Sequence, residues 1–173
     1  MSNKFKTERG IKMNALVSKL SVRLLFKQVK LVTVESCTGG LIGKTLTDLS
    51  GSSDWYEGGF ITYSNQSKTS LVNVAADVID KFGAVSEEVA ESMAKGALQH
   101  FPECVSVAVT GVAGPGGGSA EKPVGTVCIA CQYKQESKIR KFAFKGSRDD
   151  IRNETVKEAI ELVLGMKLDK NNE

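Results

Sequence analysis

Apolar residues Leu16, Val17, Leu20 and Leu24 recur at helical spacing, and the β-branched run KLVTVES at 30–36 then predicts a buried strand. The strand ends in CTGG, after which Leu41, Ile42, Thr45, Leu46 and Leu49 restore helical spacing up to a Ser/Gly turn cluster at 50–53. This order of helix, strand, glycine turn and helix is an α/β signature. GGFITYSN at 58–65 predicts a second strand, with a helix beginning in QSKTSLVNV. Ser86 fits a helix N-cap, followed by Glu87 and Glu88 in the first turn and by Val89, Met93, Ala97 and Phe101 on one face. CVSVAVT at 104–110 is a further buried strand leading into the loop GVAGPGGGSAEKP. VGTVCIACQY and SKIRKFAFKG then predict two antiparallel strands around a polar turn at 134–136. A last helix over 149–166 buries Val156, Ala159, Ile160, Val163 and Leu164.

With 173 residues, 41% hydrophobic and 25% charged, the chain has the composition of one globular domain rather than a disordered or disulfide-dense one. No apolar run reaches the 18 or more residues of a membrane span, and the polar start MSNKFKTERGIKM does not resemble a signal peptide. The expectation is a soluble, cytoplasmic protein with no membrane partner. Residues 1–13 are expected to be a disordered basic segment preceding one domain at 14–168. The net charge of +3 resides in that segment, with Lys4, Lys6, Arg9 and Lys12 against Glu8. The remainder is neutral, which argues against a nucleic-acid partner.

Cys128 and Cys131 form C-x-x-C within a predicted strand, where residues three apart face opposite sides, so the pair suits neither a metal nor a redox disulfide. His100 is the single histidine and lies near a helix end, so a multi-histidine metal site is impossible.

Three polar or glycine-rich segments follow apolar strands: ESCTGG at 35–40, TYSNQSK at 62–68 and TGVAGPGGGS at 110–119. Ligands of open α/β sheets bind beyond the carboxyl ends of strands, so these segments are expected to converge. Taken singly, each also fits ordinary turns and caps. The turn containing Glu35, Ser36, Thr38, Gly39 and Gly40 opens a helix, whose amides near 38–41 are candidates for an anion or oxyanion. Ser36 stands where a nucleophile could act. Because His100 does not suit a Ser/His/Asp triad, the remaining candidate base is Lys68, with Tyr63 to orient it or relay its proton; an exposed lysine at a helix start beside an interfacial tyrosine is the alternative. A lysine base near neutrality requires a pKa drop of roughly 3 units from its usual ~10.4. Cys37 is the rival nucleophile. Thr110, Gly111 and Gly114 begin a loop with five glycines in nine residues, which permits close approach to a ligand or serves as a lid or linker. Arg148 and Arg152 could clamp a phosphate or carboxylate, or form surface ion pairs.

The motifs V-x-E-S-C-T-G-G, T-Y-S-N-x-x-K, V-T-G-x-A-G-P-G-G, K-P-V-G-T-V and G-S-R-x-x-I-R, in this order over about residues 14–166, resemble the CinA C-terminal domain family. The resemblance implies a single-domain α/β three-layer sandwich with a mixed β-sheet flanked by helices. It also implies a nicotinamide-nucleotide amidase, converting nicotinamide mononucleotide to nicotinic acid mononucleotide and ammonia in pyridine-nucleotide recycling. Carried over by motif, Ser36 is the nucleophile, with Tyr63 and Lys68 as its catalytic partners. No cofactor or metal is implied, the partner is a small-molecule nucleotide, and the family is often homodimeric. A non-catalytic nucleotide-sensing or protein-interaction module is the alternative.

Overall fold

A computed structural model describes the backbone of residues 2–169 and the side chains of Glu8 and of residues 10–169. The elements run α1 (Ser2–Lys27), β1 (Leu31–Glu35), α2 (Leu41–Thr47), a 3-10 turn (Ser52–Asp54), β2 (Tyr56–Ile61), α3 (Asn65–Val72), α4 (Ala76–Phe82), α5 (Glu87–His100), β3 (Val105–Gly111), β4 (Thr126–Tyr133), β5 (Glu136–Ala143) and α6 (Arg148–Leu164). The sheet order is β2-β1-β3-β4-β5. β1 pairs in parallel with β2 and β3, while β4 runs antiparallel to β3 and β5 antiparallel to β4.

Strand alternation divides the core into two layers. Leu31, Val105, Val107, Val109, Val127, Ile129 and Cys131 pack with residues of α1, α2 and α6, whereas Val32, Val34, Ala108, Cys128 and Ala130 pack with residues of α4 and α5 and with Val72 at the end of α3. The chain is thus an α/β three-layer sandwich. Cys128 and Cys131 fall in opposite layers, and all four cysteines are free and buried. Ser86 accepts from the Val89 amide at 3.2 Å and starts α5 as its side chain predicts.

Three expectations are corrected. Segment 1–13 is helical from Ser2 onward, while Met1 lies outside the described residues. Its Lys, Glu and Arg are good helix formers, and Met13 packs against the core. The second strand ends at Ile61, because Ser64 caps α3 by accepting from the Ser67 amide. The short helix α4 was not anticipated; it lacks a side-chain cap.

α3 carries Lys68, and its far end rests on α5 at Gly96. A Cβ at Gly96 would lie 1.8 Å from the Val72 carbonyl oxygen and 2.7 Å from its carbon, so backbone rather than a movable side chain obstructs it. Gly96→Ala is therefore expected to destabilise the fold by about 1–3 kcal/mol, read as a lower thermal unfolding midpoint. Gly116→Ala, with nothing within 4 Å, should leave that midpoint unchanged or slightly raised.

Candidate active site

β1 lies between β2 and β3, so the chain reverses its order of winding there, and the carboxyl ends of these three strands open into one crevice. Ser36 follows β1 directly, and its amide donates to the Val109 carbonyl at 3.1 Å. The chain then turns through Gly39 (φ 57°) and Gly40 (φ 96°) into α2. Both angles lie in the left-handed region that glycine occupies without strain. On the opposite side, Ser64 starts α3, and one turn later Lys68 points back toward β1.

Lys68 is 1% exposed and Ser36 is 8% exposed. The lysine Nζ sits 3.1 Å from Ser36 Oγ, 2.9 Å from the Thr62 carbonyl oxygen and 3.4 Å from the Tyr63 carbonyl oxygen. Among the described residues no carboxylate forms an ion pair with it. Burial lowers its pKa from the ordinary lysine value. Nζ donates to the Thr62 and Tyr63 carbonyls and to Ser36 Oγ, and burial disfavours its charged form. Burial acts oppositely on Cys37, whose thiol is pushed up to about 12 and so remains protonated near neutrality.

These groups border a cavity of about 220 Å³, lined by Ser36, Cys37, Tyr63, Asn65, Lys68, Ala84, Val85, Thr110, Gly111, Ala113 and Arg148. Among the described residues no acidic side chain is in that lining. A larger hollow of about 360 Å³ between α1 and α6 contains no comparable nucleophile and base. No group of three or more His, Cys, Asp or Glu among the described residues could hold a metal ion.

The other predicted residues divide by position. Glu35, Thr38, Gly39, Gly40, Gly114 and Arg152 do not line this cavity. The helix-opening amides near 38–41 are not an open anion cradle: Gly39 donates to the Ser36 carbonyl, Gly40 to Glu35 Oε2 and Leu41 to the Thr38 carbonyl. Arg152 donates to the Thr38 carbonyl at 2.6 Å, bracing the turn from outside. Thr110 Oγ1 donates to the Ala84 carbonyl at 2.8 Å and fixes the cavity wall. Arg148 lines the cavity and donates to the Gly114 carbonyl at 2.7 Å and to Tyr63 Oη at 3.3 Å. Tyr63 reaches Lys68 through its carbonyl, while its side chain is 62% exposed at the mouth.

Thr62, Asn65, Ala84, Val85 and Ala113 were missed. Asn65 had a usable signal, since it precedes Lys68 by three residues and so shares its helix face. Thr62 acts through its carbonyl, and the other three supply walls, roles that residue type does not announce.

The model of the CinA C-terminal domain matches residues 13–167. A CinA-like protein of Syntrophobacter fumaroxidans is 45% identical over 150 residues, covering 87% of this chain and 35% of that protein. Another from Geotalea daltonii is 50% identical over 130 residues, covering 74% and 32%. The chain thus spans about a third of the length of these curated relatives. Among solved structures, a competence-damaged protein (CinA) superfamily protein from Escherichia coli superposes with a TM-score of 0.84 at 35% identity, covering 88% of each chain. A competence/damage inducible protein from Agrobacterium tumefaciens gives 0.80 at 39%, covering 86% of this chain and 94% of that one. The match over nearly the whole domain places this chain in the CinA C-terminal domain family.

Proposed function

We propose that the chain is an amidase that hydrolyses the carboxamide of nicotinamide mononucleotide, releasing nicotinic acid mononucleotide and ammonia. The supporting observation is the buried Lys68 amine 3.1 Å from Ser36 Oγ with two carbonyls as its other partners. Neutral Lys68 takes the Ser36 proton as Oγ bonds to the carboxamide carbon. The turn's internal hydrogen bonds use the amides of residues 39–43, so none of these is free for the developing oxyanion. The Lys68 ammonium then protonates the departing nitrogen, and ammonia leaves an ester on Ser36. Water attacks that ester while Lys68 again accepts and returns a proton, freeing the acid and regenerating the serine.

A cavity of about 220 Å³ is smaller than the ~300–1,000 Å³ typical of drug-sized ligands. It suits the carboxamide-bearing ring, with the ribose phosphate at the mouth. Arg148 is exposed there, and the absence of acidic lining residues favours an anionic substrate.

Ser36→Ala is expected to abolish ammonia release without loss of fold. Lys68→Arg should be nearly inactive, because a guanidinium stays protonated and cannot accept the serine proton. As the neutral amine is the competent form, kcat/KM should rise with pH through a midpoint below the ordinary lysine value and then level off. Falling activity over that range would exclude a lysine base.

Cys37→Ala should retain activity, and iodoacetamide should not inactivate the wild-type protein, since the thiol is buried and protonated. Inactivation that Cys37→Ala prevents would transfer the nucleophile to Cys37.

Arg148→Ala and removal of the substrate phosphate should each lower kcat/KM about 10- to 150-fold, the effect of one charge-assisted contact of roughly 1.5–3 kcal/mol. The two changes together should be far less than multiplicative. Equal kcat/KM for riboside and mononucleotide would remove the phosphate contact.

A further inference from the structure

Glu35 is the last residue of β1 and only 2% exposed, yet it lies outside the cavity that holds Ser36 and Lys68. Among the described residues no cation forms an ion pair with it. Its carboxylate is satisfied by the chain that follows. Oε2 accepts from Thr38 Oγ1 at 2.7 Å, the Gly40 amide at 2.9 Å and the Ile42 amide at 3.0 Å, and Oε1 accepts from the Gly43 amide at 2.8 Å. These four donors belong to the turn that leaves Ser36 and to the first residues of α2. An apolar side chain here would leave them unpaired in a buried place.

The main chain of Glu35 reaches the other half of the site. Its carbonyl accepts the Thr62 amide at 2.8 Å, and the Thr62 carbonyl in turn accepts from Lys68 Nζ at 2.9 Å. One residue therefore ties the serine's turn through its side chain and the base's carbonyl partner through its backbone. Ser36 and Lys68 are thus linked through a residue that does not line the cavity between them.

Resting on the serine–lysine reading above, we propose that Glu35 is a positioning residue for Ser36, clamping the turn so that Oγ stays within reach of Lys68. A displacement of about 1 Å can lower a rate roughly 100-fold. The clamp therefore acts on the chemical step and leaves substrate affinity alone.

The test uses the full chain with the variants Glu35→Gln, Thr38→Val and Ser36→Ala. Two readouts are the steady-state kinetics on nicotinamide mononucleotide and the rate of labelling by a fluorophosphonate, which reports serine reactivity independently of the amide substrate. In Glu35→Gln the new amide group opposes the Gly43 N–H. Its kcat and labelling rate should each fall at least about tenfold, with KM and the pH midpoint unmoved. Thr38→Val removes one donor and should show a smaller loss of the same kind, which keeps the test decisive if Glu35→Gln folds poorly. Wild-type labelling and kcat in folded Glu35→Gln or Thr38→Val, with Ser36→Ala unlabelled, would overturn the clamp and leave the nucleophile standing. A shifted pH midpoint with unchanged labelling would also overturn it, since Glu35 would then act through charge. Labelled or active Ser36→Ala would overturn the serine reading itself.

Discussion

A lysine amine buried against a serine hydroxyl and two backbone carbonyls, with no anion beside it, is the constraint around which the site is built. An ammonium in such a place loses hydration that two carbonyls and a hydroxyl replace only in part, so burial drives the group toward its neutral form. The fold has to hold the side chain there against its tendency to reach water. α3 does so from both ends, through the Ser64 capping box at its start and the close contact of Val72 with Gly96 at its finish. A lysine near the surface of a looser helix would remain charged and chemically idle.

The second buried ionisable group beside the nucleophile is kept apart from the first. Glu35 precedes Ser36 in the chain, and its carboxylate is absorbed by the turn and the start of α2. Lys68 approaches from α3, and among the described residues no ion pair joins the two. Had the two paired across the strand, the carboxylate would have fixed the lysine in its protonated form. The extended backbone separates them by sending adjacent side chains to opposite sides. Each is then satisfied by neutral hydrogen-bonding groups.

Much of this was readable from residue order. The β-branched run before ESCTGG announced β1 and a turn, and alternation in VGTVCIACQY announced the split of Cys128 and Cys131 between two layers. Ser36 and Lys68 could be named because one histidine left few alternatives for a base and because five motifs occur in order. The role of Glu35 was not readable, since a carboxylate beside a serine looks like a ligand-binding group until its own donors are counted. Arg152 misled for a similar reason: a guanidinium 114 residues away in sequence reaches the Thr38 carbonyl only after α6 has packed beside α2. Thr62 is invisible to residue type because its carbonyl does the work. Helix α1 was drawn too short, because its amino-terminal turns are polar and periodicity in apolar residues is silent there.

The proposed mechanism requires Lys68 to be neutral in the free protein over the range where amide hydrolysis would operate. Titration of lysine side chains enriched with carbon-13 at Cε, followed by nuclear magnetic resonance and assigned by comparison with Lys68→Met, measures this directly. One lysine signal is expected to titrate below the ordinary value of about 10.4 and to be missing from the variant. A Lys68 signal that titrates together with the surface lysines, or above them, would contradict it.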